Sequence, residues 1–279
     1  MNNKNIFKKL AVPVGVAMIA AMSSTAQAAI VDVTVTIENL APENTVSFAP
    51  LRLGFHNGTF DAFDINGTPG PAITSVAEGG GGEVWFEQFA AAEPGAVLGS
   101  VVNGGPALPS ANAGVGNPFS ATASNTFRVD TSDNAFFTFA NMVIPTNDLF
   151  LGNDNPLQLF DASGNLLFDQ IVQTSASIWD NNSEVANPLN GAFVVGGNND
   201  ARIEEGGVVE FDFSELAVFD GVETPAGYNF DFAAFSNLDI NDAIYTISFE
   251  ANIVQASAPS ALALLGLAGF GLAFRRAKK

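Results

Sequence analysis

The sequence predicts an all-β protein, an antiparallel β-sandwich with long loops and one short helix. Apolar and polar residues alternate from Ile30 to Leu40 and again from Ile244 to Val254, and a period of two is typical of half-buried strands. About 230 residues separate the two end segments, a usual size for one sandwich domain. The 25 phenylalanines and the absence of cysteine indicate a large core without disulfides.

The elements between these two strands follow from local patterns. A second strand is expected at 45–55, and two more at 207–216 and 228–235. Residues 82–93 space Val84, Phe86 and Phe89 roughly as one helix face would, which predicts the short helix. The flanking stretches, 79–82 and 93–120, are rich in glycine and predict surface loops. At 160–168 the sequence FDASGNLLF predicts a tight turn within a β-hairpin.

The first 28 residues have the composition of a secretory signal peptide. Lys4, Lys8 and Lys9 precede an apolar stretch from Leu10 to Met22, and Ala26-Gln27-Ala28 supplies small residues for cleavage before Ala29. An uncleaved anchor helix is the alternative, but the apolar stretch is shorter than the ~20 residues of a membrane span. We expect the protein to be exported.

The last segment, 257–279, has Pro259, an apolar run from 260 to 274 and a basic end with Arg275, Arg276, Lys278 and Lys279. It resembles the PEP-CTERM class of bacterial sorting signals, although SAPSA around Pro259 lacks the usual glutamate. The resemblance implies a transient membrane anchor that an exosortase-type processing enzyme removes. A simple permanent membrane anchor is the alternative, with the basic end on the cytoplasmic side.

The charge of the chain between these ends is strongly negative. All 29 acidic residues lie there, beside only three basic ones, Arg52, Arg128 and Arg202. Such a surface repels the phosphates of nucleic acids and attracts divalent cations. Nucleic-acid binding is therefore excluded, whereas solubility in a salty medium and metal binding both remain as reasons for the acidity.

Three acidic residues stand among turn-forming residues and predict a metal site. Asp148 lies in VIPTNDLFLG, and Asp180 and Glu184 follow in SIWDNNSE after one expected hairpin. Calcium takes six to eight oxygen ligands and accepts irregular loops. Spacing alone leaves the site open, since a chain with 29 acids offers other such triples by chance.

The segments NMVIPTNDLFLG (141–152) and IWDNNSE (178–184), with VSFAPLRLGFHNGTF (46–60) upstream, resemble the spondin N-terminal domain family. The resemblance implies a C2-like β-sandwich over 29–256 that binds one calcium ion (Ca2+) through Asp148, Asp180 and Glu184. It also implies a role in extracellular matrix or cell adhesion. Leu149 and the residues between Asp180 and Glu184 depart from the family pattern, and the cysteines of animal members are absent.

Other residues that could carry chemistry have simpler interpretations. His56 is the only histidine, and we expect it to be a packing residue. We expect Trp85 and Trp179 to be core aromatics, with Trp179 supporting the loop that presents Asp180. The stretch 61–70 has part of an EF-hand pattern, but Ala62 occupies the first ligand position, so a turn is expected.

The sequence favours a protein that is not an enzyme. There is no cysteine, no Gly-x-Ser-x-Gly motif and no phosphate-binding loop. The first hypothesis is a calcium-binding structural or adhesive module at the cell surface or in extracellular matrix, with a cell-surface protein or an extracellular polysaccharide as partner. A carbohydrate-binding module with an exposed aromatic platform is the alternative. A glycoside hydrolase, which needs only two carboxylates, is the third.

Overall fold

The computed structural model describes residues 29–114 and 117–256, so the expected signal peptide and sorting segment lie outside the described residues. Within these ranges the chain forms two antiparallel sheets, with α-helices α1 (Pro71–Gly79), α2 (Glu83–Ala92) and α3 (Phe232–Ser236). The strands are β1 (Ala29–Asn39), β2 (Ser47–Phe48), β3 (Leu51–His56), β4 (Val97–Val101), β5 (Thr122–Asp130), β6 (Phe136–Ile144), β7 (Leu149–Gly152), β8 (Leu157–Gln158), β9 (Gln170–Thr174), β10 (Ile178–Asp180), β11 (Glu210–Phe211) and β12 (Ala243–Ala256).

The smaller sheet has four strands in the order β5-β1-β12-β9. The larger sheet has eight, with the path β11-β10-β7-β6-β3-β4 and the short strands β2 and β8 beside β6. The predicted all-β antiparallel sandwich is confirmed.

The main core lies between the two sheets. From β1 it receives Val31, Val33, Val35 and Ile37, each no more than 2% exposed, whereas the residues between them are partly exposed. Phenylalanines of β3 and β6 meet them from the larger sheet. The alternation seen in the sequence therefore places one face of β1 in the core and the other toward solvent.

A second core covers the outer face of the larger sheet. Along β7, Leu149 and Leu151 belong to the main core, whereas Phe150 packs in the second core, with Trp85 and Phe89 of α2. The close approach depends on Gly54, because a Cβ there would lie 2.5 Å from the Phe89 ring. The central strands are thus buried on both faces. Polar side chains that could bind a ligand are therefore expected at the ends of these strands.

The helices and loops differ in part from the expectations. The predicted helix is confirmed as α2, but the sequence analysis did not predict α1 or α3. The expected strand at 228–235 is wrong, since α3 occupies its second half and Asp231 caps it by accepting a hydrogen bond from the Ala234 backbone. The stretch 93–120 is mostly loop but also contains β4.

Two further expectations are corrected in detail. In 207–216 only the two residues of β11 form a strand, and a 3₁₀ helix, Ser214–Phe219, follows. The turn at 160–168 closes through the backbone bond from Asp161 N to Asn165 O, 2.9 Å. An antiparallel bridge between Phe160 and Leu166 forms a short hairpin around this turn, as predicted. The next strands on either side lie in different sheets, because β8 pairs with β6 and β9 pairs with β12.

Candidate metal centre

Three adjacent strands at one edge of the larger sheet determine the position of the acidic residues. Asp148 immediately precedes β7, and Asp180 ends β10, whose residues pair with β7 so that Asp180 lies opposite Leu149. On its other side Asp180 lies opposite Glu210 of β11, and Glu215 follows in the 3₁₀ helix. Antiparallel pairing thus brings the start of one strand and the end of the next to the same edge.

The structure brings together the carboxylates of Asp148, Asp180 and Glu215. One oxygen from each lies within 4.8 Å of the others. Asp148 and Asp180 are buried, with exposed fractions of 0% and 4%, and Glu215 is half-buried. A point between three such oxygens is where a cation could bind.

Hydrogen bonds hold the loop after β10 around Asp148. Its Oδ2 accepts from the Ser183 backbone N at 2.7 Å, from Ser183 Oγ at 3.1 Å and from the Glu184 backbone N at 3.0 Å. Asp180 Oδ1 accepts from the Asn182 backbone N at 2.7 Å. Asn182 has a φ of 49°, the left-handed region that asparagine tolerates better than most residues. The loop is therefore arranged around the two aspartates.

Two buried carboxylate oxygens of the centre have no hydrogen-bond partner. They are Asp148 Oδ1 and Glu215 Oε2. A buried carboxylate oxygen without a donor is costly, because burial removes its hydration. A bound cation would compensate this cost.

The pKa values of the group are raised in consequence. Burial, followed by the charge of Asp148, raises the pKa of Asp180 to about 7. Burial, followed by the charges of Asp180 and Asp148, raises the pKa of Glu215 to about 8. Burial also raises the pKa of Asp148, against the hydrogen bonds from Ser183 and Glu184. Without a cation the centre therefore favours protonated forms near neutral pH.

No basic side chain of the described ranges compensates these charges. The three arginines there have other partners: Arg52 donates to Gly80 O and Ser100, Arg128 pairs with Asp32, and Arg202 pairs with Glu78. The cation that would satisfy the centre must come from solution.

Glu184, the third ligand expected from the family resemblance, is placed differently. Its backbone N contacts Asp148, but its carboxylate is outside the group of three, and Arg202 Nε lies 4.0 Å from its Oε1. The side chain is buried, and burial followed by the charge of Asp148 raises its pKa to about 7. Asp148 and Asp180 converge as expected, whereas Glu215 occupies the place expected for Glu184.

Sequence reasoning missed Glu215 because its segment was interpreted as a strand. The signal that could have found it is the Asp212-Phe213-Ser214 turn, in which Asp212 Oδ1 accepts from the Ser214 backbone N at 2.6 Å. This turn starts the 3₁₀ helix that carries Glu215.

Two further acids surround the centre. The charge of Glu205 contributes to the raised pKa values of Asp148, Asp180 and Glu215, and Asp212 acts on the latter two. The Glu205 backbone N donates to Ser183 O at 2.8 Å, and Gly207 N donates to Asn182 O at 2.9 Å. The segment 205–207 thus runs directly beside the loop that holds Asp148.

The remaining singled-out residues have structural roles. His56 is buried between Glu93 and Thr138, with Nδ1 2.9 Å from Glu93 Oε1 and Nε2 2.9 Å from Thr138 Oγ1. All three side chains are 3% exposed or less. Trp85 is fully buried, and Trp179 donates to Gly152 O at 3.3 Å beside Asp180. The 61–70 stretch contains a turn closed by Gly67 N and Asp64 O, 2.9 Å.

Comparison of the chain with protein-family models and with curated proteins finds no match. Among the helices of residues 29–114 and 117–256, none has the length and apolar character needed to cross a membrane.

Proposed function

We propose that this protein is an exported β-sandwich module that binds calcium at Asp148, Asp180 and Glu215 and has a structural or adhesive role outside the cell. The observation that carries the proposal is the fully buried Asp148, whose Oδ1 has no hydrogen-bond partner and which belongs to a group of three carboxylates within 4.8 Å. The expected signal peptide, the sorting segment with its processing enzyme and the resemblance to the spondin N-terminal domain family support the extracellular part.

The donor set favours a hard cation. The group contains only carboxylate oxygens, and such oxygens select calcium, magnesium or manganese over softer metals. The ligands come from three separate segments around an irregular loop, which suits the flexible coordination of calcium better than the strict octahedron of magnesium.

Binding would fix the edge of the larger sheet. The ion would join the start of β7, the end of β10 and the 3₁₀ helix after β11. The strands there pair over short distances, three residue pairs between β10 and β7 and two between β10 and β11. In this proposal the bound ion orders the loops at this edge of the larger sheet.

Thermal unfolding of the protein with calcium or with chelator tests the proposal. A ligand that binds only the folded state stabilises it by about 2.7 kcal/mol at a free concentration of 100 Kd. We expect the unfolding midpoint to rise with millimolar calcium in the natural protein, and the rise to disappear in Asp180→Asn and in Glu215→Gln.

Glu184→Gln is the matched control, because Glu184 is also a glutamate and is more buried than Glu215, at 1% exposed, but its carboxylate lies outside the group. Its midpoint should still rise with calcium. No rise in the natural protein at millimolar calcium would refute the proposal, and a rise lost in Glu184→Gln but kept in Glu215→Gln would favour the ligand set of the family resemblance. Magnesium in place of calcium tests the choice of ion.

A further inference from the structure

Three buried side chains form a hydrogen-bonded row on the larger sheet, away from the metal centre. His56 Nε2 lies 2.9 Å from Thr138 Oγ1, and His56 Nδ1 lies 2.9 Å from Glu93 Oε1. All three residues are 3% exposed or less. A hydroxyl, an imidazole and a carboxylate in this order are the nucleophile, the base and the orienting acid of a catalytic triad.

The protonation states make the imidazole a base toward the hydroxyl. Burial acts to raise the pKa of Glu93, but hydrogen bonds from His56 and its neighbours lower it to about 2, so the carboxylate is ionised. His56 Nδ1 must then carry a hydrogen, because an ionised carboxylate only accepts; Gly58 N lies farther from Nδ1, at 3.2 Å. Burial, against the hydrogen bond from Glu93, lowers the pKa of His56. The neutral ring therefore accepts from Thr138 through Nε2.

A substrate from solution cannot reach this hydroxyl, since Thr138 is 1% exposed. The electrophile must belong to the fold, and the Asn153 amide is within reach. Its Nδ2 lies 3.5 Å from Thr138 Oγ1, and the amide carbon is one bond from that nitrogen. Asn153 directly follows β7 and is 9% exposed. The two groups are thus held together on neighbouring strands and shielded from water.

Backbone groups orient and polarise the Asn153 amide. Its Oδ1 accepts from the Phe139 backbone N at 2.8 Å, and its Nδ2 donates to Asn155 O at 2.7 Å and to Phe137 O at 3.3 Å. Phe139 directly follows Thr138 in the chain. A backbone N–H from the residue after the nucleophile, directed at the carbonyl oxygen, is the arrangement of an oxyanion hole.

We propose that Thr138 and Asn153 join through an intramolecular ester bond that links β6 to the end of β7. Thr138 Oγ1 attacks Asn153 Cγ while His56 Nε2 takes the hydroxyl proton, and the Phe139 N–H stabilises the oxyanion. The bond from Cγ to Nδ2 then breaks, His56 returns the proton to Nδ2, and ammonia leaves. The reaction occurs once per chain and consumes neither water nor an oxidant.

Such a bond suits an exported chain without cysteine. Small exported domains commonly gain stability from disulfides, and a covalent bond between two strands constrains the unfolded chain in the same way. Burial of Asn153 and Thr138 excludes the water that would hydrolyse the ester. The bond does not involve the proposed calcium site, so it should form equally in chelator.

Mass spectrometry of the purified protein tests the proposal. We expect the folded chain to be lighter than its sequence by one ammonia. Cleavage before aspartate separates DNAFFTFANMVIPTN (133–147), which contains Thr138, from DLFLGN (148–153), which ends in Asn153. The ester should keep these two peptides joined, and hydroxylamine should release them. Ammonia lost from an asparagine that closes a ring onto the backbone would leave the peptides separate, so the two reactions are distinguished.

Variants assign the roles of the side chains. Thr138→Val has no nucleophile and should give separate peptides at full mass, whereas Thr138→Ser retains a hydroxyl and should give joined ones. His56→Gln removes the base and should leave most of the chain unlinked. Asn155→Ala is the matched control, because it removes a nearby exposed amide and keeps the backbone carbonyl that Asn153 contacts; it should be linked as the natural protein is.

Separate peptides at full mass from the folded natural protein would overturn the proposal, whatever the variants do. Joined peptides in Thr138→Val would show that another residue is the nucleophile. Complete linkage in His56→Gln would overturn the role of His56 as the base. Because all these results are masses of the chain and its peptides, they do not depend on the outcome of the calcium experiments.

Discussion

Two buried acidic sites of the same sandwich differ in how their oxygens are satisfied. Glu93 is buried at the end of α2 and accepts hydrogen bonds from His56, from the backbone of Asn57 and Thr59, and from Thr59 Oγ1. At the edge of the larger sheet, Asp148 and Glu215 each have an oxygen without a partner.

The pKa values of the two sites move in opposite directions. Burial raises the pKa of Glu93, but the hydrogen bonds from His56, Asn57, Thr59 and Phe60 outweigh burial and lower it to about 2. At Asp180, burial and the charge of Asp148 outweigh the hydrogen bond from the Asn182 backbone and raise the pKa to about 7. The buried Glu93 carboxylate is surrounded by hydrogen-bond donors and needs no ligand. The buried Asp180 carboxylate is surrounded by other carboxylates, and a bound cation would be needed to compensate their charges.

The largest expected effect on stability is at Glu93, whose oxygens accept hydrogen bonds. Glu93→Ala leaves His56 and several backbone N–H groups without their acceptor, and we expect the free energy of unfolding to fall by about 3–5 kcal/mol. The loss should be the same with calcium and with chelator, as measured by urea denaturation. Glu87→Ala on the exposed side of α2 is the control and should change little. A loss that calcium restores would contradict the distinction between the sites.

The second effect is the dependence of stability on pH that Asp180 and Glu215 cause at the candidate metal centre. In chelator the folded protein holds more protons than the unfolded chain between the ordinary carboxyl pKa of about 4 and the values of about 7 and 8 for Asp180 and Glu215. Stability should therefore fall as pH rises from about 5 to 8. Since one pKa unit corresponds to about 1.4 kcal/mol, Asp180 alone should account for a loss of about 2–3 kcal/mol between pH 5 and its pKa of about 7, and Glu215 adds to this loss.

Calcium should remove this loss, so the stabilisation that calcium provides should increase with pH over the same range. The readout is the difference between urea denaturation with calcium and with chelator at each pH. Burial lowers the pKa of His56, which has the opposite effect on stability, but His56 contributes equally to both conditions and cancels in the difference. A calcium effect that does not depend on pH would contradict the raised pKa values.

The smallest expected effect is that of Glu215→Gln on stability, which should change sign between chelator and calcium. In chelator near pH 8, Glu215→Gln removes one of the mutually repelling carboxylates, and we expect it to stabilise the protein by about 1 kcal/mol. In millimolar calcium the same change should destabilise the protein, because a ligand is lost. Urea denaturation of the variant in the two conditions measures both signs. Destabilisation in chelator would show that Glu215 already has a stabilising partner within the fold.

The strands with a clear period of two were predictable because the pattern is local. The alternation of β1 is visible in the sequence and is reproduced in its burial, and β12 forms where its alternation predicts a strand, although the four residues from Ile244 to Ile247 are all buried. The segment 228–235 has a similar alternation, yet α3 forms there because Asp231 caps the helix and Phe235 packs into the main core. Local alternation cannot decide a short segment whose ends are fixed by tertiary contacts.

The candidate site was predictable in part for the same reason. Asp148 and Asp180 each stand in a short motif, and they flank β7 and β10, which pair directly although β8 and β9 lie between them in the sequence. Glu215 is 35 residues beyond Asp180 in the sequence, and the Asp212-Phe213-Ser214 turn before it indicates only the start of a 3₁₀ helix, not a ligand. Glu184 is close in sequence but its carboxylate is beside Arg202.

The sequence by itself determined the all-β class, the position of α2, the acidic character and two of the three converging carboxylates, because these depend on periodicity, composition and short motifs. Only the tertiary structure decided that Glu215 joins Asp148 and Asp180 and that Glu93 needs no ligand. The physical reason is that donors and acceptors are assigned by strand pairing and burial, which join residues far apart in the chain.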